Sequence, residues 1–274
     1  MKDYTTARQI ILTISYLKKG KWEEIYAHIK NQVPLTKEEK AEAEANIKSN
    51  YVTIVDEDYP SCLKDIYKPP FILYYYGNLA LTEAKYRLTA IGSRKPSIYQ
   101  NDTCYRLIQE VEEKMNHEVV IVSGMAKGSD STMMKAAISV NAPVISIIGS
   151  GIDNPYPADN DGIYDYCKSG KGLVLSEYPL NEKAASQNFL FRNRLLAAFS
   201  PSLFVGSGKR RSGTNNSVYW ASSFNRNVLC LPCNVNLDDP ELTNELIKQG
   251  ADPILCSDDL KTEIIQTAKA NGKQ

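Results

Sequence analysis

Apolar residues recur at helical spacing near the start of the chain. Ile10, Ile11, Ile14 and Leu17 form one stripe; after the Lys19-Gly20 break, Trp22, Ile25, Tyr26 and Ile29 form another. The stretch from Thr36 to Ser49 is rich in Glu, Lys and Ala and opens on a Thr suited to capping. Residues 1–49 are therefore expected to form a small helical domain with a polar outer face.

From Tyr51 the period changes, and apolar runs of strand length alternate with longer helical segments. The pattern predicts strands at Tyr51–Val55, Phe71–Tyr75, Arg87–Ile91, Val119–Ser123, Val144–Ile148, Leu173–Leu175, Leu203–Val205 and Val228–Leu231. Helices are predicted at Asn101–Met115, Ser129–Val140, Gly162–Lys168, Asn188–Phe199, Thr214–Phe224, Pro240–Gln249 and Asp258–Ala268. Continuous apolar strands separated by helices imply an α/β fold, a mostly parallel sheet covered on both faces. This domain is placed at residues 50–262. Residues 263–274 are left as a C-terminal tail, frayed over Lys269–Gln274.

In such sheets ligands sit outside the carboxyl ends of the strands, and four strand ends share one chemistry. They run into Gly92-Ser93-Arg94-Lys95, into Ser123-Gly124-Met125-Ala126-Lys127-Gly128, into Gly149-Ser150-Gly151, and into Gly206-Ser207-Gly208-Lys209-Arg210-Arg211-Ser212-Gly213. Glycine lets a backbone approach a ligand, helix N-termini and hydroxyls offer donors, and Lys or Arg supply charge. One such loop can be only a tight turn; four at equivalent positions, three of them basic, point to a phosphate-bearing ligand. Arg192 and Arg194 stand two apart on a predicted helix, so one can reach a pocket while the other braces a loop. Taken alone, both read as solvated charges. The neighbouring Phe189 and Phe191 read first as core residues, although aromatics beside a basic groove also suit single strands.

Composition narrows the function without fixing it. The 32 basic and 32 acidic residues balance, which argues against a surface that coats polyanions but leaves room for a local basic site. No apolar run approaches bilayer length and the N-terminal patch is too interrupted for a secretion signal, so a cytoplasmic protein without membrane contacts is expected. The six cysteines are scattered and expected to be reduced. Cys230 and Cys233 have redox or zinc spacing, but lack a second ligand pair and a following helix, so a structural role is expected. Only His28 and His117 are present, which disfavours histidine-based catalysis. No metal and no cofactor is expected.

The ordered motifs resemble those of the DNA-processing protein DprA (Smf) family over about residues 50–256. The resemblance is carried by Tyr59-Pro60, Pro69-Pro70 and Leu73-Tyr74-Tyr75-Tyr76-Gly77-Asn78-Leu79, then by Ala90-Ile91-Gly92-Ser93-Arg94. Val120 to Gly128 with Asp130, Ile148 to Asp153 with Tyr156-Pro157, and Ser176-Glu177-Tyr178 follow. Arg192-Asn193-Arg194, Arg211-Ser212-Gly213-Thr214, Leu231-Pro232 and Asn244-Glu245-Leu246-Ile247 with Gly250-Ala251 complete it. It implies an extended Rossmann-like sheet, single-stranded DNA bound in a basic pocket, homodimerisation, and loading of a RecA-type recombinase in recombination and natural transformation, with no catalytic reaction. It makes Arg94 and Lys127 the main phosphate contacts. It adds Ser93, Ser123, Gly124, Gly128, Arg192, Arg194, Arg211, Ser212 and Gly213, while the strand-end loops themselves bring Gly92, Gly149 and Ser150 into the expected binding set, with Lys209 and Arg210 as basic residues beyond the family pattern.

The chain departs from the family pattern at several positions. Met134 replaces a usual His, Gln100 a usual Gly and Gly206 a usual Glu, and Thr214-Asn215-Asn216-Ser217 stands for a Ser-Leu-Ile-Thr run. The chain is expected to end without the winged helix of some members, and a dimer contact is expected near Leu242 to Ile254. Two other readings stay open. Asp130, Asp153 and Glu177 could serve a nucleoside-monophosphate hydrolase of a related fold, although the segment Arg211 to Asn216 lacks that signature's paired glycines and glutamate. A regulator holding a small phosphorylated metabolite would use the same loops.

Overall fold

The computed structural model describes residues 4–235 and 242–271. Its centre is a nine-stranded sheet. The strands are β1 (Asn50–Thr53), β2 (Ile72–Gly77), β3 (Arg87–Ile91), β4 (Val120–Ser123), β5 (Val144–Gly151), β6 (Leu173–Tyr178), β7 (Ser202–Val205), β8 (Asn227–Cys230) and β9 (Asp252–Pro253). Their spatial order is β1-β2-β6-β5-β4-β3-β7-β8-β9. From β6 to β9 all neighbours run parallel, whereas β2 pairs antiparallel with both β1 and β6. The chain travels outward from β3 through β4, β5 and β6, then returns to the other side of β3 with β7. That reversal creates the crevice at the carboxyl ends where such folds hold ligands.

The helices are α1 (Tyr4–Leu17), α2 (Trp22–Lys30), α3 (Lys37–Asn46), α4 (Ile98–Lys114), α5 (Ser129–Ser139), α6 (Asp161–Tyr166), α7 (Ser186–Phe199), α8 (Gly213–Ser223), α9 (Leu242–Lys248) and α10 (Ser257–Asn271). Strand alternation sorts the core into two layers. Leu88, Ala90, Ile121 and Phe204 face α4, α5 and α10. Ile91, Val120, Val122, Ile145, Leu203 and Val205 face α7, α8 and α9. Every one of these sheet residues is at most 3% exposed, which is why the strands read as unbroken apolar runs rather than alternating ones.

All eight predicted strands are present within two or three residues of their expected bounds, and β9 is added beyond them. The short β9 carries Asp252 and Pro253, both exposed, and so had no apolar signal. β5 continues through Gly149, Ser150 and Gly151, with a register shift between Ile148 and Gly151. The third expected turn is thus irregular strand. Residues 236–241 lie outside the described set, so only Leu242–Lys248 of the helix expected at Pro240–Gln249 can be placed.

The helices of residues 4–46 lie against the sheet. Ile11, Leu12 and Ile47 belong to the same buried layer as Ile72 and Tyr74, and Tyr74 donates its hydroxyl to Ser15 Oγ at 3.0 Å. Thr36 caps α3 as its sequence suggested, in a reciprocal box with Glu39. At the other end α10 runs continuously across residues 262 and 263, with Leu260 and Ile264 buried. Residues 272–274 of the expected frayed tail are outside the described set.

Candidate functional site

A cavity of about 210 Å³ opens over the carboxyl ends of β3, β4 and β5. Arg94, Lys95, Gly124, Ala126, Lys127, Tyr156, Pro157, Phe189 and Arg192 line it. Four cationic side chains from three separate segments converge there. Arg94 and Lys95 arrive on the loop after β3, Lys127 on the loop after β4, and Arg192 from the second turn of α7.

The loops are shaped by close backbone packing. Gly128 adopts φ +81°, and a Cβ there would fall 2.4 Å from the Ser93 carbonyl oxygen. Only glycine supports both the left-handed backbone and that approach. Ser129 N–H in turn donates to Ser93 O at 3.0 Å, tying the β3 and β4 loops into one unit. Three amides of the β3 loop are already used. Gly92 N–H donates to Asp130 Oδ1 at 3.0 Å, Ser93 N–H to Ser207 Oγ at 2.9 Å, and Lys95 N–H to Ser93 Oγ at 3.0 Å. The Gly92, Ser93 and Lys95 amides are therefore not open to an anion. The charge-bearing contacts of this loop must come from side chains.

Arg192 is 4% exposed. Its Nη1 donates to Gly124 O at 3.1 Å and to Ile147 O, while its buried Nε has no hydrogen-bond partner among the described residues. Burial lowers its pKa to about 10, against the opposing pull of Asp130. Burial raises the Asp130 pKa, opposed by Arg192 and by backbone donors. Lys127 and Asp159 form an exposed ion pair, which raises the lysine pKa and lowers that of the aspartate. The wall opposite is aromatic. Tyr156 and Phe189 have ring centroids 5.7 Å apart, and the Arg94 guanidinium carbon lies 5.6 Å from the Phe189 centroid.

Of the residues expected from sequence, Arg94, Gly124, Lys127 and Arg192 line the cavity. Gly92, Ser93 and Gly128 build its loops. Gly149 stands behind Phe189, where a Cβ would meet the ring at 2.7 Å. Ser123 and Ser150 are turned inward: Ser123 Oγ donates to Ala90 O at 2.6 Å, and Ser150 Oγ to Asn154 O at 2.7 Å. Arg194 is fully buried elsewhere, in a bidentate pair with Glu177 at 2.8 and 2.5 Å, and also donates to the Lys68 and Phe191 carbonyls.

The fourth loop does not line the cavity itself. Arg210 pairs with Glu245, Ser212 Oγ donates to Lys209 O at 2.6 Å, and Lys209 and Arg211 are exposed. Gly213 begins α8, and its carbonyl accepts from Asn193 Nδ2 at 3.1 Å. Lys95, Tyr156 and Phe189 were missing from the expected set. Lys95 was legible as the next basic residue of its turn, whereas Tyr156 and Phe189 reach the cavity only through tertiary packing.

A family model described as DNA recombination-mediator protein A matches residues 50–265. The chain is 33% identical over 211 residues to the DNA processing protein DprA of Streptococcus pneumoniae, covering 77% of this chain and 73% of that protein. It is 32% identical over 211 residues to Protein Smf of Synechocystis sp., and spans about half of that protein's length (52%) and 77% of its own. The X-ray structure of DprA from Streptococcus pneumoniae superposes with a TM-score of 0.76 at 30% identity, over 87% of this chain and 81% of that one. A DprA structure from Helicobacter pylori, described for its unique single-stranded DNA binding mode, superposes with a TM-score of 0.70 at 27% identity, over 80% of this chain and 97% of that one. The family match runs from β1 into α10 and takes in every strand and the whole cavity, and the chain belongs to the DNA recombination-mediator protein A (DprA/Smf) family.

Proposed function

We propose that this protein binds single-stranded DNA in the cavity bounded by Arg94, Lys127 and Arg192, and that it assists loading of a RecA-type recombinase in recombination and DNA uptake. The observation that carries the reading is the convergence of Arg94, Lys95, Lys127 and Arg192 on one cavity with an aromatic wall of Tyr156 and Phe189. Cations that track a backbone beside rings that stack on bases are what a single strand needs. The single-stranded DNA binding ascribed to the Helicobacter pylori protein supports it. No catalytic step is assigned. Asp130 is held by Gly92 N–H and faces Arg192, and Glu177 is committed to Arg194, so neither carboxylate is placed as an acid or base. A homodimer is proposed to form near the open sheet edge at β9. The apolar residues Leu242, Leu246 and Ile254 of that region are themselves buried within the chain.

The test is fluorescence anisotropy with an unstructured oligonucleotide across a salt series. Arg94→Ala and Lys127→Ala are expected to weaken binding, each flattening the log–log salt slope by about 0.7 for one lost phosphate contact. Both side chains are exposed, so the thermal unfolding curve should not move. Unchanged affinity in both variants overturns the assignment. Competition by a nucleoside monophosphate equal to that by the oligonucleotide would instead favour a small phosphorylated ligand.

A further inference from the structure

The backbone just before Arg94 is held at every one of its polar groups. Gly92 N–H donates to Asp130 Oδ1 at 3.0 Å, and Gly92 O accepts from Thr214 Oγ1 at 3.1 Å. Ser93 N–H donates to Ser207 Oγ at 2.9 Å, and Ser93 O accepts from Ser129 N–H at 3.0 Å. Ser129 Oγ and Ser207 Oγ are hydrogen-bonded to each other at 2.7 Å. The partners Ser129, Asp130, Ser207 and Thr214 are all buried. They come from three separate segments: the start of α5, the turn after β7 and the start of α8. Gly92 has no side chain to spare for this knot. A Cβ there would fall 2.5 Å from Ser129 Cβ and 2.9 Å from Ser207 Oγ.

A surface turn can satisfy its backbone with water. This one is bonded instead to segments far away in the chain, although Arg94 immediately beyond it is exposed. Removing a buried hydroxyl from such a bond leaves a backbone group unpaired. Each bond therefore fixes the direction in which the chain leaves β3, and what it delivers is Arg94. A long cationic side chain gives up rotamer freedom when it grips a ligand, and a fixed backbone confines that loss to the side chain. Ser207 belongs to the fourth glycine-serine loop, which stands off the cavity, and Thr214 directly follows that loop. Their hydroxyls are aimed at the β3 loop.

We propose that Ser207 and Thr214 are positioning residues for single-strand binding, which act through Arg94 by fixing the Gly92–Ser93 backbone from which it projects. The inference rests on the single-strand reading of the cavity and gives the fourth loop its part in it. Three roles separate cleanly. A purely structural residue lowers the thermal midpoint and leaves the affinity of the folded protein alone. A direct DNA contact adds its loss to that of Arg94→Ala. A positioning residue lowers affinity only while Arg94 is present.

The test measures oligothymidylate binding by anisotropy for Thr214→Val, Thr214→Ser and Ser207→Ala, each alone and combined with Arg94→Ala, at a temperature where the proteins are folded. Thr214→Val keeps the shape and loses the hydroxyl. It and Ser207→Ala should each weaken binding about threefold to tenfold, whereas Thr214→Ser, which keeps the hydroxyl, should recover most of the affinity. In the Arg94→Ala background all three should bind alike. Should Thr214→Val fail to fold, Ser207→Ala and its double variant carry the test. Hydrogen exchange supplies a readout without DNA. The Gly92 and Ser93 amides should be protected in the parent, and the Ser93 amide should lose protection in Ser207→Ala. Single variants that bind as the parent does, losses that add to that of Arg94→Ala, or free exchange of these amides in the parent overturn the positioning role and leave the cavity reading standing. Failure of the parent to bind the oligothymidylate overturns the single-strand reading, and the positioning role with it.

Discussion

The guanidinium of Arg192 occupies the space that a side chain on Gly124 would need. A Cβ at position 124 would fall 2.7 Å from Nη2, 2.8 Å from Nη1 and 2.9 Å from Asp130 Oδ2. Gly124→Ala is therefore expected to displace Arg192 from the Gly124 and Ile147 carbonyls and weaken single-strand binding, at a stability cost of about 1–3 kcal/mol for overpacking. Gly213→Ala is the matched control. A Cβ there meets nothing closer than Asn193 Nδ2 at 3.9 Å, so its binding isotherm should overlay that of the parent. Equal effects from the two alanines would remove Arg192 from the binding face.

Asp159 holds the charge that Lys127 would offer to a phosphate. The two side chains are 68% and 57% exposed, so the pair is weak and easily exchanged. Asp159→Asn keeps the shape and releases the ammonium. The expected outcome is tighter single-strand binding by about twofold to fivefold, with a steeper salt slope. In the Lys127→Ala background the same substitution should bring no gain. A gain that persisted there would mean that Asp159 acts by general repulsion rather than through Lys127.

The strands were legible in the sequence because burial on both faces leaves unbroken apolar runs, as at Val120–Val122 and Leu203–Val205. β9 was not legible, because its two exposed residues carry no pattern. At the site, charge was easier to read than direction. Arg192 and Arg194 are two apart on one helix, and only packing decides that the first faces the cavity while the second is locked to Glu177. Hydroxyls were harder still, since Ser123 and Ser150 sit at strand ends yet bond inward. The departures from the family pattern have local physical reasons. Gln100 closes a capping box with Ser97 at the start of α4. Gly206 leaves room for Cys104, whose Sγ would lie 2.3 Å from a Cβ. Asn215 donates to Arg210 O at 3.1 Å, and Asn216 Oδ1 accepts from Asn193.

Arg194 and Glu177 form a clamp beneath the site rather than a part of it. The arginine side chain is 0% exposed and the glutamate 5%, and the guanidinium carbon lies 3.6 Å from the Phe191 centroid. Removing one member leaves the other buried and unpaired, which costs about 3–5 kcal/mol. Arg194→Ala and Glu177→Ala should each lower the thermal midpoint sharply. At a temperature where the variants remain folded, binding per folded molecule should stay close to the parent value. Loss of binding without loss of stability would place Arg194 in the DNA contact after all.

Glu112, on the buried face of α4, is a burden on the fold at neutral and alkaline pH. It is 0% exposed, and among the described residues no donor reaches either carboxylate oxygen in good hydrogen-bonding geometry. Burial pushes its pKa up to about 8, against a weaker downward pull from the Val119 amide. An unfolded glutamate titrates near 4.3, so between about pH 4.3 and 8 the native state binds a proton that the unfolded state has released. Stability must then fall as pH rises through that window, by at most roughly 1.4 kcal/mol per unit. Below the window both states are protonated, and above it the penalty is complete. Glu112→Gln removes the titration. Its denaturant midpoint should lie above that of the parent at pH 8, approach it near pH 5, and change less across the interval. Parallel pH profiles for the two proteins would show that Glu112 finds a charged partner or water in solution.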